Sequence, residues 1–395
     1  MMTVPVVRVS RRGADRIRAG HPWIYRTDVA AGDAAPGDVV AVSSEDRRRL
    51  GWAMWSSTSK IALRMLPAGS RTTLPDERAY FVERIRAAIG YRHVLSIDAT
   101  AFRLVSADAD GLPGVIVDRY ADGSDTYLVI QTLSEGADRR LALFVELLVE
   151  LVKPRGILAR NDPKVRQLEG LTEQVEVVYG DVPERITFRE GLVTLRADLR
   201  HGQKTGAFLD QRENHLAAAT YAQGRALDCF TYNGGFALQM AGRADTVTAL
   251  DSSAPAVAMT RENADANGMT NIEVREGNVF DELREIETTG VRFDTIVLDP
   301  PAFAKNRAAV PRALSGYKEI NLRAMRLLSV GGCLITCSCS FNVGEALFVD
   351  IVNQAANDAH ANMVLVEKRM QARDHPVLLG LPESYYLKCL VLRRI

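Results

Sequence analysis

The sequence of 395 residues has no excess of charge in either direction. Its 49 Lys and Arg residues balance its 49 Asp and Glu residues, so the chain as a whole gives no electrostatic case for nucleic-acid binding. It also has no apolar run long enough to span a bilayer, since the most apolar helical stretch, Leu141–Val152, is short and carries two glutamates. The N-terminus lacks an uninterrupted apolar segment. We therefore expect neither a membrane partner nor secretion.

Cysteine is scarce, and its placement excludes two further classes of protein. The five cysteines are odd in number and lie in apolar or motif contexts: Cys229, Cys333, Cys337, Cys339 and Cys389. This pattern does not resemble a disulfide framework, so we expect a reducing, cytoplasmic location. The spacing of Cys337 and Cys339 is too short for a zinc half-site, and no matching Cys or His pair follows. No metal is expected.

Positive charge is concentrated near the N-terminus. Residues 1–75 hold 12 Lys or Arg and 6 Asp or Glu, and their short strand-like pieces are divided by Gly, Pro and Asp turns. This pattern predicts a small β-rich barrel with a basic surface. The candidates for phosphate contact include Arg47, Arg48 and Arg49. Uneven surface charge on a purely structural barrel is the alternative.

The rest of the chain is predicted to be α/β in two further parts. Residues 76–185 mix strand and helix patterns, and residues 186–200 carry a hairpin signal at Glu190-Gly191 that would link the parts. Strand and helix patterns then alternate, which predicts a parallel sheet. We therefore predict three domains, at 1–75, 76–185 and 186–395.

A cofactor pocket is predicted where the first strand of the third part ends. The predicted strand Arg225–Phe230 contains Asp228 and runs into a turn with Gly234 and Gly235, which would let the backbone pass close to a nucleotide. The pattern is neither G-x-G-x-x-G nor a P-loop, so phosphate cradling is not favoured. Asp251 ends the next strand, where a carboxylate can accept both hydrogen bonds from a ribose diol. A nucleoside cofactor without pyrophosphate fits, which favours S-adenosylmethionine over NAD.

A stiff loop follows a later apolar strand at Asp299-Pro300-Pro301-Ala302-Phe303. The two prolines fix φ and remove backbone donors. Such a loop can hold a planar base, with Asp299 addressing a ring nitrogen or exocyclic amine and Phe303 lying against the ring face. Lys305 is a further candidate contact. A plain turn at the end of a buried strand is the alternative.

Cys339 is the predicted nucleophile. The strand Cys333–Ser338 precedes it, and Cys339 lies nearer the rim of the sheet, where catalytic groups of open α/β sheets collect. A thiolate can add to C6 of a pyrimidine, C5 can then take a methyl group from a sulfonium, and a base must remove the C5 proton. Cys229 and Cys333 are interpreted as small core residues, and Cys337 is interpreted in the same way.

At this point the chain resembles a known family along nearly its whole length. It is similar to the RlmI-type 23S ribosomal RNA (cytosine-5)-methyltransferases, which have an N-terminal PUA domain, a central α/β domain and a C-terminal Rossmann-like class I methyltransferase domain. Besides the segments above, the resemblance rests on His21–Tyr25, Ser59–Arg64, Asp108–Tyr120, Gly316–Asn321, Asp374–Pro376 and Leu387–Lys388.

The resemblance implies roles for individual residues. Segment Lys204–Arg212 would contact the methionine end of S-adenosylmethionine, mainly through Gln211. The other implied cofactor contacts are Asp228, Gly234, Gly235, Asp251 for the ribose, and Asn278 for the adenine. Asp299 would bind or protonate the target cytosine, and Cys339 would attack it. A homodimer and a 23S ribosomal RNA substrate are implied in the same way.

Two departures from the family pattern leave questions open. Asn278 stands where relatives carry Asp, and the Asp299 loop lacks the second cysteine of many RNA cytosine-5 methyltransferases, so the base that removes the C5 proton is not named. The loop also resembles the [D/N]-P-P-[F/Y] signature of methyltransferases that modify nitrogen. Such an enzyme would need no thiol, and Cys339 favours cytosine C5. A non-enzymatic RNA-binding protein is the remaining alternative.

Overall fold

The chain folds as two compact units that share its length unequally. The computed structural model describes residues 4–67, 76–304 and 306–395. Unit 1 comprises Met1–Ile186, Asp198–Ala207 and Asp374–Ser384, and unit 2 comprises Thr187–Ala197, Phe208–Arg373 and Tyr385–Ile395. The division into three domains stays a prediction, and its first boundary at residue 75 lies outside the described residues.

The N-terminal part of unit 1 is a six-stranded sheet with the order β2-β6-β5-β4-β1-β3. Strands β1 and β4 are parallel, and the other neighbours are antiparallel. The elements are β1 (Val6–Val9), α1 (Arg11–Arg18), β2 (Trp23–Tyr25), β3 (Val29–Ala31), β4 (Val39–Ser44), β5 (Arg49–Trp55) and β6 (Ile61–Leu66). The predicted β-rich module is confirmed.

The second part of unit 1 is a five-stranded sheet with the order β11-β10-β9-β8-β7. Its elements are α2 (Glu77–Val94), β7 (Ala101–Ser106), β8 (Val115–Asp122), β9 (Asp125–Thr132), α3 (Glu135–Asp138), α4 (Leu141–Val152), β10 (Gly156–Asn161) and β11 (Gln174–Gly180). Phe81 of α2 and Phe144 of α4 meet edge to face, with ring centroids 4.9 Å apart. Burial of these apolar faces holds the helices together.

Residues from near the C-terminus complete unit 1. The Asp374 carboxylate accepts a hydrogen bond from the Arg103 backbone N–H at 2.8 Å, and the Asp374 carbonyl accepts one from Arg92 Nη2 at 2.7 Å. A Cβ added at Gly380 would lie 2.0 Å from the carbonyl oxygen of Gly20, so only glycine fits there. The segment Asp374–Ser384 is therefore an integral part of this fold.

A two-stranded hairpin follows unit 1 in the chain, as the sequence predicts. Strand β12 (Arg185–Glu190) pairs with β13 (Val193–Asp198). The turn between them contains Gly191 with φ of 58°. This left-handed conformation favours glycine.

Unit 2 contains a seven-stranded sheet with the order β16-β15-β14-β17-β18-β20-β19. The first five strands in that order are parallel, while β20 is antiparallel to both of its neighbours. Their bounds are β14 (Arg225–Cys229), β15 (Thr246–Asp251), β16 (Ile272–Glu276), β17 (Phe293–Leu298), β18 (Leu328–Ser338), β19 (Met363–Met370) and β20 (Lys388–Arg394). Strands β19 and β20 form an antiparallel pair at one edge of the sheet, and residues 371–387 join them.

Helices alternate with these strands. They are α5 (Arg212–Tyr221), α6 (Gly235–Ala241), α7 (Ala254–Ala266), α8 (Val279–Thr289), α9 (Val310–Leu327) and α10 (Glu345–Asp358). From β14 the chain builds β15 and β16 on one side, and β17 and β18 on the other. The strand order therefore reverses between β14 and β17, and in open α/β sheets ligands bind at this place, outside the carboxyl ends of the strands. No helix within the described residues is long and apolar enough to cross a membrane.

Candidate functional site

The carboxyl end of β14 holds a buried acid. Asp228 Oδ2 accepts hydrogen bonds from Thr231 Oγ1 at 2.6 Å and from the Ala237 N–H at 3.0 Å. Its second oxygen, Oδ1, has no hydrogen-bond partner within the described residues. Burial raises the pKa of Asp228 to about 6. At neutral pH the ionised Asp228 carboxylate can therefore attract a cationic ligand group and accept a hydrogen bond from it through Oδ1.

The turn after β14 is constrained by packing within unit 2. Gly234 has φ of 86°, and a Cβ there would lie 2.2 Å from Leu238 Cδ1. A Cβ at Gly235 would lie 2.4 Å from His215 Cε1. The sequence assigned both glycines to close approach of a nucleotide. The structure adds an independent reason for each, because neither position has room for a larger residue.

Asp251 ties this turn to the end of β15. Its carboxylate accepts hydrogen bonds from the backbone N–H groups of Tyr232 and Ser253, both at 2.9 Å. Its carbonyl accepts one from the Gly277 N–H at 2.9 Å. Asn278 follows directly and caps α8, with its side-chain oxygen accepting from the Phe280 N–H at 2.9 Å. The ends of β14, β15 and β16 are thus brought together, as the sequence predicts.

Gln211 contributes a buried donor. Its Oε1 accepts a hydrogen bond from Asn214 Nδ2 at 2.6 Å, while its Nε2 has no partner with ordinary hydrogen-bond geometry within the described residues. The Gln211 side chain does act on the Cys337 thiol, whose pKa it lowers against the larger effect of burial. Buried polar groups in proteins are almost always hydrogen-bonded, so an unused donor at Gln211 and an unused acceptor at Asp228 fit a polar ligand. This is what a site for an amino-acid-bearing nucleoside requires.

Cys339 and the proline-rich loop meet at the ends of two neighbouring strands. Leu298 of β17 is in register with Thr336 of β18, and Cys339 Sγ lies 3.8 Å from the carbonyl oxygen of Pro300. Asp299 begins the same loop and is half-buried. The structure therefore brings the predicted nucleophile to the predicted base-binding loop.

Cys339 differs from the other four thiols, all of which the structure describes. It is half-buried, whereas Cys229, Cys333, Cys337 and Cys389 are buried. Burial raises the pKa of Cys333 to about 12, and it raises the pKa of Cys229 and Cys337 well above the ordinary range. These thiols stay protonated at neutral pH and are poor nucleophiles. Only Cys339 combines access with a place at the rim.

The loop residues around the thiol differ in exposure. Pro300 is buried and Pro301 is exposed. Phe303 is half-buried, with its ring centroid 4.8 Å from that of Tyr317 and 6.1 Å from that of Phe280. The core therefore fixes the orientation of the Phe303 ring. The predicted contact Lys305 lies outside the described residues.

The predicted arginine cluster is only partly open. The Arg49 guanidinium stacks on the Trp52 ring at 3.9 Å, and Arg48 is 3.0 Å from the Asp46 carboxylate. Arg47 and Arg49 line a surface depression together with Arg8. Arg47, Arg48 and Arg49 thus share a surface of unit 1 but are held in different ways.

Two features near the site were not recognised in the sequence. His215 Nδ1 lies 2.8 Å from Glu190 Oε1. Burial lowers the pKa of His215, but the charge of Glu190, the hydrogen bond to it and the charges of Asp299 and Asp228 together raise that pKa by more, so the net shift is upward. Lys388 Nζ donates to the Ser340 and Tyr386 carbonyl oxygens at 2.7 and 2.8 Å. The Leu387-Lys388 motif was singled out only by resemblance, because a lysine in an apolar strand pattern gives no sign of its partner.

Two segments of the chain match known domains. Residues 7–67 match a PUA-like domain, and residues 172–388 match the S-adenosylmethionine-dependent methyltransferases. The chain is 39% identical over 402 residues to the ribosomal RNA large subunit methyltransferase I of Aeromonas hydrophila, covering 99% of this chain and 100% of the relative. The relative of that name from Vibrio cholerae is 37% identical over 389 residues, covering 95% and 96%.

The chain belongs to the ribosomal RNA large subunit methyltransferase I family. The family resemblance expected from the sequence is therefore confirmed, and S-adenosylmethionine is the cofactor.

Solved structures agree on the fold. A protein described as a methyltransferase and crystallised with SAH superimposes with a TM-score of 0.84 at 20% identity, covering 100% of both chains. A protein from Streptococcus mutans, described as an S-adenosylmethionine-dependent methyltransferase, gives a TM-score of 0.82 at 20% identity with the same coverage. The α/β class, with a Rossmann-like sheet that follows the PUA-like module in the sequence, is confirmed.

Proposed function

We propose that this family member methylates C5 of a cytosine in large-subunit (23S) ribosomal RNA. The relatives are named as methyltransferases of that RNA. The observation that carries the choice of atom is the position of Cys339, the one accessible thiol of five, 3.8 Å from the Pro300 carbonyl oxygen at the rim of the sheet. A nitrogen methyltransferase has no use for a thiol there.

The proposed reaction runs through a covalent bond between enzyme and base. The Cys339 thiolate adds to C6 of the cytosine, which makes C5 an electron-rich enamine carbon. C5 then takes the methyl group that the cofactor's sulfonium supplies. A base removes the C5 proton, the electron pair re-forms the C5–C6 double bond, and the C6–S bond breaks to return the thiolate. Each bond made in the first step is thus broken in the last.

Asp299 and the loop it begins are proposed to hold the cytosine. The Asp299 carboxylate would address N3 or the exocyclic amine, while Pro300 and Pro301 keep the loop rigid. Phe303 would line the base from the position in which the core holds it. Rigid support of this kind keeps C6 within reach of the thiol, since small misplacements are costly for a bond-forming step.

Residues of the β14–β16 ends are proposed to hold the cofactor. Asp228 and Gln211 offer the methionine end one unused acceptor and one unused donor. Asp251 would hold the ribose and Asn278 would lie near the adenine, beside the turn at Gly234 and Gly235. The Asp251 carboxylate already accepts two backbone N–H groups, and carboxylate oxygens have further lone pairs for a diol.

The PUA-like module is proposed to dock the RNA in the cytoplasm. Arg47, Arg48 and Arg49 would contact phosphates, which position the RNA without reading its sequence. Base selection would then rest with the Asp299 loop and Cys339.

A mechanism-based crosslink tests the reaction. The enzyme is incubated with S-adenosylmethionine and 23S RNA transcribed with 5-fluorocytosine, and covalent protein–RNA species are resolved on a denaturing gel. Fluorine at C5 blocks the final proton removal, so we expect a stable adduct with the wild type and none with Cys339→Ser. Cys333→Ala is the matched control, because it removes a buried thiol, and it should retain the adduct.

Methyl transfer by the same three proteins, measured with unmodified RNA, can contradict the proposal. Methyl transfer to unmodified RNA that survives Cys339→Ser, with no adduct in any variant, would show a nitrogen methyltransferase that uses the loop alone. Failure to bind S-adenosylmethionine in calorimetry would favour the RNA-binding alternative.

A further inference from the structure

Lys388 is buried at the first position of β20. It faces Ser338 across the antiparallel pair of β18 and β20, and its side chain is among the largest that are fully buried, with the residue 1% exposed. Its Nζ donates to the Ser340 carbonyl oxygen at 2.7 Å and to the Tyr386 carbonyl oxygen at 2.8 Å. The amine is therefore held in one place by two neutral acceptors.

The Lys388 ammonium has no carboxylate partner among the described residues. The carboxylate whose charge raises the pKa of Lys388, that of Glu345, is already bonded to Lys368 Nζ at 2.7 Å and to Tyr385 OH at 2.6 Å. Burial lowers the pKa of Lys388 to about 8, which leaves the amine mainly protonated at neutral pH. A buried charge without a counter-ion is costly and calls for an anion nearby.

Cys339 is placed to supply that anion. It lies between Ser338, the cross-strand partner of Lys388, and Ser340, whose carbonyl oxygen the ammonium holds. A negative charge at Cys339 would raise the pKa of the Lys388 amine. The Ser340 hydroxyl also bonds to the Ala304 N–H at 3.2 Å and to Tyr317 OH at 3.0 Å. The turn that carries the thiol is thus fixed from three sides.

We propose that the buried Lys388 ammonium is a positioning residue that stabilises the thiolate of Cys339 and holds the turn that presents it. The inference rests on the proposed function, in which that thiolate is the nucleophile. Lys388 does not touch the substrate, because its side chain is buried. It acts through charge at Cys339 and through its bond to Ser340.

Other titratable groups face the same turn. Tyr317 from α9 contacts it through Ser338 and Ser340, and burial raises the Tyr317 pKa, so the phenol stays neutral. Glu345 from α10 and Asp299 from the loop are negative and would oppose a thiolate. The Lys388 ammonium is positive and is bonded to this turn, so its charge favours a thiolate at Cys339.

The test measures the acidity of the Cys339 thiol directly. Iodoacetamide alkylation, in which the thiolate forms an S–C bond and iodide leaves, is followed by mass spectrometry of the Cys339 peptide between pH 5 and pH 10 for wild type and variants. The variants are Lys388→Met, Lys388→Gln, which keeps a donor for the carbonyls without charge, and Lys388→Arg. Lys368→Met removes a nearby exposed lysine as a control.

We expect the midpoint of alkylation to rise by about one pH unit or more in Lys388→Met and Lys388→Gln, the size of effect that a close opposite charge has. It should stay near the wild-type value in Lys388→Arg and Lys368→Met. An unchanged midpoint in the two neutral variants would overturn the inference. So would a wild-type midpoint at or above about 8.5, the ordinary value for cysteine, and that result needs no variant to fold.

This outcome is separate from that of the crosslink. A lowered thiol pKa that depends on Lys388 stands even if Cys339→Ser still methylates RNA, in which case the reaction proposal fails alone. If the 5-fluorocytosine adduct forms but the pKa of the Cys339 thiol does not depend on Lys388, the proposed role of the lysine is wrong and the proposed reaction stands.

Discussion

The two units differ in how some of their buried charges are satisfied. In unit 1 the buried arginines have carboxylate partners: Arg64 lies 2.7 Å from Glu169, Arg92 lies 2.6 Å from Asp110, and Arg166 lies 2.8 Å from Asp138. In unit 2, Lys388 is bonded only to carbonyl oxygens, and Asp228 has an oxygen with no hydrogen-bond partner within the described residues.

This difference separates charges that serve the fold from charges held ready for a ligand or a reaction. A buried pair satisfies both of its members, and removing one leaves the other uncompensated. A solitary buried charge lowers stability. Its presence at the carboxyl ends of a Rossmann-like sheet therefore indicates a functional role, in binding the cofactor or in stabilising a thiolate.

Breaking a pair in unit 1 should have the largest effect. Arg64→Met leaves Glu169 buried without its cation, which should lower the free energy of unfolding by about 3–5 kcal/mol. All three tryptophans, Trp23, Trp52 and Trp55, belong to unit 1. The midpoint of urea unfolding followed by tryptophan fluorescence therefore reports this unit.

Arg78→Met is the control for that change. Arg78 pairs with Glu146 and Glu150 on the exposed surface. Exposed pairs contribute about 0–1 kcal/mol, so the midpoint should hardly move. Equal losses in the two variants would remove the distinction between buried and exposed pairs in this unit.

Neutralising the solitary acid should affect the cofactor. Because burial raises the pKa of Asp228 to about 6, affinity for the cationic methionine end should strengthen as pH rises through 6 and the carboxyl ionises. Asp228→Asn should lose about 1.5–3 kcal/mol of binding at pH 7.5, the range for a hydrogen bond to a charged group. It should also show no such rise with pH.

Calorimetry with S-adenosylhomocysteine between pH 5 and pH 7.5 measures both effects. The exposed Asp245→Asn serves as the control and should keep the wild-type profile. A pH profile that is the same in Asp228→Asn and wild type would rule out Asp228 as the titrating group.

The solitary lysine should make stability depend on alkaline pH. Its pKa is about 8 in the folded protein against 10.5 for a free lysine, so the unfolded chain binds more protons between these values. Above pH 10.5 the lysine is neutral in both states, so burying it costs no charge desolvation. As pH falls from 10.5 to 8, this destabilisation of the folded state grows, and below pH 8 it stays constant. Relative to Lys388→Met, the free energy of unfolding of the wild type should therefore increase by about 1 kcal/mol per pH unit between pH 8 and pH 10.5.

Thermal unfolding of both proteins at several pH values from 7 to 10.5 measures this difference. Lys368→Met, an exposed site, should run parallel to the wild type. A wild-type advantage that shrinks with rising pH would reverse the sign and refute the burial of an unpaired ammonium.

The smallest effect concerns exposed charges of the PUA-like module. Arg48 is held by Asp46, whereas Arg47 lines an open depression with Arg8 and Arg49. Arg47→Ala should reduce the salt slope of RNA binding by about one, and Arg48→Ala by less. Fluorescence anisotropy with a 23S RNA fragment at increasing salt gives the slopes. An unchanged slope in Arg47→Ala would exclude that phosphate contact.

Much of the sheet in unit 2 could be predicted because its strands are buried and apolar. The end of β15 (Thr246–Asp251) at Asp251 was predicted to the residue, and the acids at the strand ends followed from chain order. In unit 1, α1 was missed because its sequence is rich in arginine and has only Gly13 and Ala14 buried. Strands β2 and β3 have three residues each, too few to show alternation.

The site was predicted only as far as its motifs reach. Asp228, Asp251 and Cys339 stand at strand ends, so parallel topology alone brings them to one edge. The role of Lys388 depends on β20 entering between β18 and β19, which no local pattern indicates. The pair of His215 with Glu190 likewise joins residues from different elements. Tertiary contacts between distant segments decide charge environments, and spacing along the chain does not record them.

The contribution of Asp374–Ser384 to unit 1 has a consequence for how the protein is made. Chains leave the ribosome N-terminus first at about 5–20 residues per second. On the order of 10–40 s therefore passes between the synthesis of residue 186 and that of Asp374, which accepts hydrogen bonds from the Arg92 side chain and the Arg103 backbone N–H. Until Asp374 is synthesised, unit 1 lacks these two hydrogen bonds. A message truncated before codon 374 would yield a product that lacks them permanently. The bonds of Arg92 and Arg103 thus depend on a segment that is translated much later than either residue.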